Sequence, residues 1–138
     1  MEKIRSLIQK YKVNYKDGNY IYFLLNGDEI VYIGRTVKIF PPVLKHEDKD
    51  FSHVSMLPVE LFDFDGTIED LYIHLIITFK PKYNTMLPSN DRYMTKGVIK
   101  KRFNINGYEL NRLIKKNGAR PVFLDYYDIN EIFRKEKV

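Results

Sequence analysis

Cysteine and tryptophan are both absent from this 138-residue chain. Without cysteine there can be no disulfide and no cysteine-based zinc site, which fits a reducing interior. No apolar stretch approaches the ~20 residues needed to span a membrane. The start, Met1-Glu2-Lys3-Ile4-Arg5, leads into an amphipathic segment and lacks the apolar run of a signal peptide. The expectation is a soluble intracellular, cytoplasmic protein with no membrane contact. No internal repeat or low-complexity tract is visible. What is present is enough for a core, with 44% hydrophobic and 14% aromatic residues, and this argues against a globally disordered chain. The 11 Tyr and 9 Phe are ordinary core material, and in a basic protein they also offer stacking surfaces for bases.

Charge is unevenly spread. Residues 1–88 hold 11 basic and 12 acidic side chains, and residues 89–138 hold 12 and 6. The net charges of −1 and +6 sum to the +5 of the whole chain. A polyanion-binding surface is therefore expected in the C-terminal third. The length suits one ordinary domain, or a small domain with an appendage.

Ile4, Leu7, Ile8 and Tyr11 recur at helical spacing and predict a short N-terminal helix. Asn26-Gly27-Asp28 lies between two apolar, aromatic-rich runs, roughly Tyr20–Leu25 and Glu29–Gly34. That pattern is a hairpin signal, because the central residues must tolerate positive φ. Pro41-Pro42 predicts a loop, or a helix beginning near Pro41, and Phe51–Leu57 predicts a third strand. Thr67 is placed to cap a helix in which Ile68, Leu71, Tyr72, Leu75, Ile76 and Phe79 recur at three and four. Pro81 stops that helix, and Leu87–Asp91 has the composition of a linker. Beyond it, Thr95 is expected to cap a helix through Val98, Ile99 and Phe103. A turn follows at residues 104–107, with a second helix at Tyr108–Lys116 ended by Gly118. A strand at Pro121–Leu124 and a final helix at Ile129–Lys135 complete the pattern.

The hairpin residues Tyr20-Ile21-Tyr22 and Tyr32-Ile33-Gly34, then His46 and Pro81-Lys82-Tyr83-Asn84, occur in an order that resembles the GIY-YIG nuclease superfamily. Tyr20 stands where the first motif glycine would be. The resemblance covers roughly residues 19–84 and implies an α+β fold, a small mixed sheet flanked by helices. It also implies phosphodiester hydrolysis, which requires a base near the nucleophile, a cation on the developing charge and a metal-bound oxygen. By position, Tyr22 and Tyr32 match the tyrosines that help activate water, Gly34 ends the second strand, and His46 and Asn84 match supporting polar groups. Two positions depart from the family. Pro42 stands where an arginine is usual, and Tyr72 where the metal-binding glutamate is usual. Arg35 and Glu69 are the nearest replacements, but catalytic groups need placement within about an angstrom. The expectation is a scaffold that no longer cuts and needs no cofactor. The alternative is an active Mg2+-dependent endonuclease using Glu69 and Arg35. A third reading is a protein-interaction module that reuses the cleft.

The last fifty residues resemble winged helix-turn-helix domains of the excisionase and MerR-like kind. The expected division is residues 1–88 nuclease-like and 89–138 DNA-binding. In that arrangement the second helix enters the major groove. Asn111 and Arg112 are the base-reading candidates, because Asn matches adenine and Arg matches guanine bidentately. Lys100, Lys101, Lys115, Lys116 and Arg120 are expected on phosphates. DNA is the expected partner, occupied rather than cut, and family analogy points to a phage or other mobile element. A homodimer and a protein partner at the former nuclease cleft stay open.

Overall fold

The computed structural model describes residues 1–12, 18–37 and 46–134. The prediction made for Pro41-Pro42 lies outside them. The amphipathic N-terminal segment forms α1 (Glu2–Tyr11), and none of its residues is buried. The hairpin follows as β1 (Tyr20–Asn26) and β2 (Glu29–Thr36), with Asn26 opposite Glu29. Its loop is Gly27-Asp28. Gly27 takes φ 62° while Asp28 stays out of the positive-φ region. Positive φ is therefore needed at the first central residue alone, the demand of a type II′ loop.

Opposite Leu24 and Leu25 the register slips. Leu24 pairs with Tyr32 and Leu25 with Ile30, leaving Val31 as an extra residue. Such a bulge re-aims side chains, and here it turns Val31 onto the face that Tyr22, Leu24 and Tyr32 already share. β3 (His53–Pro58) pairs with the other edge of β1, giving the order β2-β1-β3. All its pairings are antiparallel, so the sheet is not mixed as expected. The two-residue loop forces β2 against β1, and β3 also runs against that central strand.

Thr67 caps α2 (Ile68–Phe79) through a reciprocal box: its hydroxyl accepts from the Asp70 N–H, and its own N–H donates to the Asp70 carboxylate. The helix ends where Lys80 turns into the left-handed region, one residue before Pro81. Leu71, Ile73, Leu75 and Ile76 bury against Ile21, Phe23 and Ile33. The buried arc is shifted from the expected stripe, since Ile73 joins it and Phe79 is 50% exposed.

The C-terminal residues form β4 (Tyr93–Thr95), α3 (Lys96–Phe103), α4 (Gly107–Asn117), β5 (Tyr126–Asp128) and α5 (Ile129–Ile132). The expected strand at Pro121–Leu124 moves. Leu124 adopts φ 47° and turns the chain, so β5 starts at Tyr126 and pairs antiparallel with β4, leaving only a bridge between Phe123 and Tyr126. The final helix is shorter than expected, and Lys135 lies outside the described residues. Arg92 grips the Asp128 carboxylate bidentately at 3.1 and 2.9 Å, fixing β5 beside the linker.

Met94, Ile99, Leu110, Ala119, Tyr127 and Ile132 make a second core. The division at residue 88 is nevertheless a seam. Leu87 and Phe123 bury in the sheet–α2 core, and Tyr93 and Tyr126 pack against it. Among the described residues no helix is long and apolar enough to cross a membrane.

Candidate functional site

Tyr22 and Gly34 sit opposite each other across β1 and β2. A Cβ at Gly34 would lie 2.1 Å from Tyr22 Cζ and 2.4 Å from its hydroxyl. The glycine is therefore needed because the Tyr22 ring lies across it, and this accounts for the last residue of the Tyr-Ile-Gly triplet. The Tyr22 hydroxyl pairs with His46 Nε2 at 2.9 Å. Tyr32, on the same face because it pairs with Leu24, packs its ring 4.5 Å from the His46 ring and 6.1 Å from Tyr22.

Asn84 holds the outer edge of β2. Its amide donates to the Ile33 carbonyl at 3.0 Å and accepts from the Ile33 N–H at 2.9 Å. This copies what a neighbouring strand would do and closes an otherwise open edge. The Tyr72 hydroxyl donates to the same carbonyl at 3.1 Å. The position that the family pattern assigns to a glutamate thus faces this cluster, and its polar atom is spent on the backbone.

The phenols are held protonated. Burial, and then the neighbouring Tyr32 and Tyr72 phenols, raise the Tyr22 pKa well above its ordinary value. Tyr72 is pushed up to about 12, first by burial and then by Tyr32, with Arg35 opposing. Neither suits a general base at neutral pH.

Cations lie against these rings. The Arg35 guanidinium lies 5.8 Å from the Tyr72 ring centre, Lys49 lies 5.3 Å from Tyr32, and Lys82 lies 5.1 Å from Tyr83. Glu69 does not join them. It lines a cleft of about 730 Å³ at the start of α2, with Asp65, His74 and Asp91. Among the described residues no three His, Asp or Glu side chains are grouped to hold a metal. A hard divalent ion takes carboxylate and carbonyl oxygens. Neutral phenols, an imidazole and an amide committed to the backbone do not fit one, so no metal-dependent step is derived.

Lys49 and the clamp on Ile33 were not found by sequence reasoning. Lys82 and Tyr83 lie inside the Pro81–Asn84 piece, which was a usable signal. Lys49 had none, because only the turn after His46 brings it over the rings.

At the other end, Asn104 makes the left-handed turn between α3 and α4. Asn106 caps α4, accepting from the Glu109 N–H at 2.8 Å, and Gly118 ends the helix at φ 64°. Leu110 faces inward, with Leu113 and Ile114 packed against that core. Asn111, Arg112, Lys115 and Lys116 are exposed, as are Lys100, Lys101 and Arg120. Asn111 is engaged, its side-chain oxygen accepting from Lys96 Nζ at 3.2 Å. Among the described residues no carboxylate pairs with Arg112, Lys115, Lys100, Lys101 or Arg120. The expected DNA-contacting residues are therefore accessible, and Arg112, Lys115, Lys100, Lys101 and Arg120 are without an acidic partner among the described residues.

Comparison of the chain with protein-family models, with curated proteins and with solved structures gives no match.

Proposed function

We propose that this protein binds duplex DNA through α4 and does not cut it. On this reading residues 89–138 are a winged helix-turn-helix module, and the hairpin domain is a GIY-YIG-like scaffold that has lost its metal-binding acid. The observation that carries the proposal is the exposed face of α4, where Arg112 and Lys115 have no acidic partner and the helix is capped at both ends. Such a helix enters a major groove with its side chains available for base edges and phosphates. Arg112 reads bases, and Lys115 and Lys116, with Lys100, Lys101 and Arg120, neutralise phosphates. The protein acts by occupying DNA, as a regulator or by shielding a site.

Loss of cutting is supported by the Tyr72 hydroxyl bonded to Ile33, and by Glu69 lining a different cleft. Supercoiled plasmid incubated with Mg2+ is expected to remain uncut. Nicking that Glu69→Ala abolishes and Tyr72→Ala spares would overturn that part. For binding, anisotropy of a labelled duplex is expected to fall steeply with salt. The Arg112→Ala/Lys115→Ala double variant is expected to bind at least about tenfold more weakly, with a salt slope reduced by about one to two.

A further inference from the structure

α1 and the cleft at the start of α2 are complementary in both apolar surface and charge. Ile4, Leu7, Ile8 and Tyr11 form one stripe along α1, yet they are 58, 47, 60 and 70% exposed. Lys3, Arg5 and Lys10 accompany the stripe, with Glu2 the single acid of the helix. Isolated helices this short are marginal in water, and helices in proteins are held mainly by covering an apolar face. The cleft supplies such a cover. Its apolar lining is Phe64, Ile73 and Tyr93, and its acidic lining includes Asp65 and Glu69, while the Asp91 carboxylate is paired with Arg102 at 3.4 Å. Arg92 also lines it, but that guanidinium is held by Asp128, and Asp70 is engaged in capping α2.

We propose that α1 of one copy docks in this cleft of a second copy, and that the reciprocal exchange forms a homodimer. No α1 residue lines the cleft of its own chain in this structure, so the cleft is open to a second copy. A two-fold exchange covers two stripes and two clefts at once, as isologous interfaces do. Basic residues of the helix meet Asp65 and Glu69 at the cleft, so the pairing is electrostatically matched. The proposal is independent of DNA binding and of the fate of the nuclease cleft.

Sedimentation equilibrium of the full chain at low salt, across a concentration series, is the test. The wild type is expected to dimerise. Lys3→Glu with Arg5→Glu changes only exposed side chains, so the fold is kept while the dimer dissociation constant rises about tenfold. Adding Asp65→Lys and Glu69→Lys to that variant is expected to recover the dimer. A wild type that stays monomeric throughout overturns the proposal. So does a dimer unmoved by the α1 charge reversal, or one that the cleft reversal does not recover.

Discussion

In the hairpin domain Tyr22, Tyr72 and Asn84 turn their polar atoms inward, onto His46 and the Ile33 backbone. On α4, Arg112 and Lys115 turn theirs outward, and no carboxylate among the described residues pairs with them. Both regions carry the residue types of nucleic-acid chemistry, but only the second leaves those groups available. On the proposed reading, the hairpin motif outlives its activity because its polar groups have become structural. The Tyr-Ile-Gly triplet is held in place by packing demands of its own, whatever the site does chemically.

The comparison is most easily broken at Gly34. Gly34→Ala puts a methyl against the Tyr22 ring, and destabilisation of about 3 kcal/mol or more is expected by chemical denaturation. A loss under 1 kcal/mol would mean that the ring moves freely and the cluster is not structural. Asn84→Ala comes next. It leaves the Ile33 N–H without a partner and removes one of two donors to the Ile33 carbonyl, at a cost of about 2 kcal/mol.

A smaller effect is expected in alkali. Tyr72 has a folded-state pKa of about 12 against an ordinary value of about 10, so the folded chain keeps this proton longer than the unfolded one. Stability from this group is full below pH 10 and is lost as pH rises toward 12, and Tyr22 acts in the same direction. Unfolding midpoints measured between pH 9 and 12 should fall along that range, with a shallower fall in Tyr72→Phe. A slope identical in wild type and variant would remove Tyr72 from the buried cluster. The smallest stability change belongs to Arg112→Ala with Lys115→Ala. Within about 0.5 kcal/mol of wild type is expected, since both side chains are exposed. A large loss would make α4 a structural helix rather than a binding surface.

Much of this was legible in the sequence where one local rule decides. Asn26-Gly27 fixed the hairpin within one residue of its loop, and Thr67 and Gly118 marked helix ends through capping. The charge count located the basic excess in the C-terminal third, where Arg112 and Lys115 are exposed. The family resemblance singled out Tyr72 as the position where a glutamate is usual, and the structure brings its hydroxyl to the Ile33 carbonyl of β2.

Other features depended on tertiary contacts that no local pattern encodes. β4 and β5 are three residues long and exist by pairing with each other, so neither carries a periodicity of its own. Ile73 falls outside the three-and-four stripe and is buried because the sheet–α2 core covers a wide arc of the helix. The bulge that turns Val31 onto the Tyr22 face is a property of the strand pair, and no single residue announces it. The α1 stripe was readable as a helix, but its lack of cover was not.

The central claim, binding through α4 without cutting, is met most directly by one titration. A fluorescently labelled duplex is followed by anisotropy against salt in the presence of Mg2+, with wild type and Arg112→Ala/Lys115→Ala, and the DNA is recovered afterwards on a denaturing gel. The account predicts steeply salt-dependent binding by wild type, about tenfold weaker binding with a shallower slope in the variant, and intact DNA throughout. Equal binding by the two proteins, or a cleaved duplex, would contradict it.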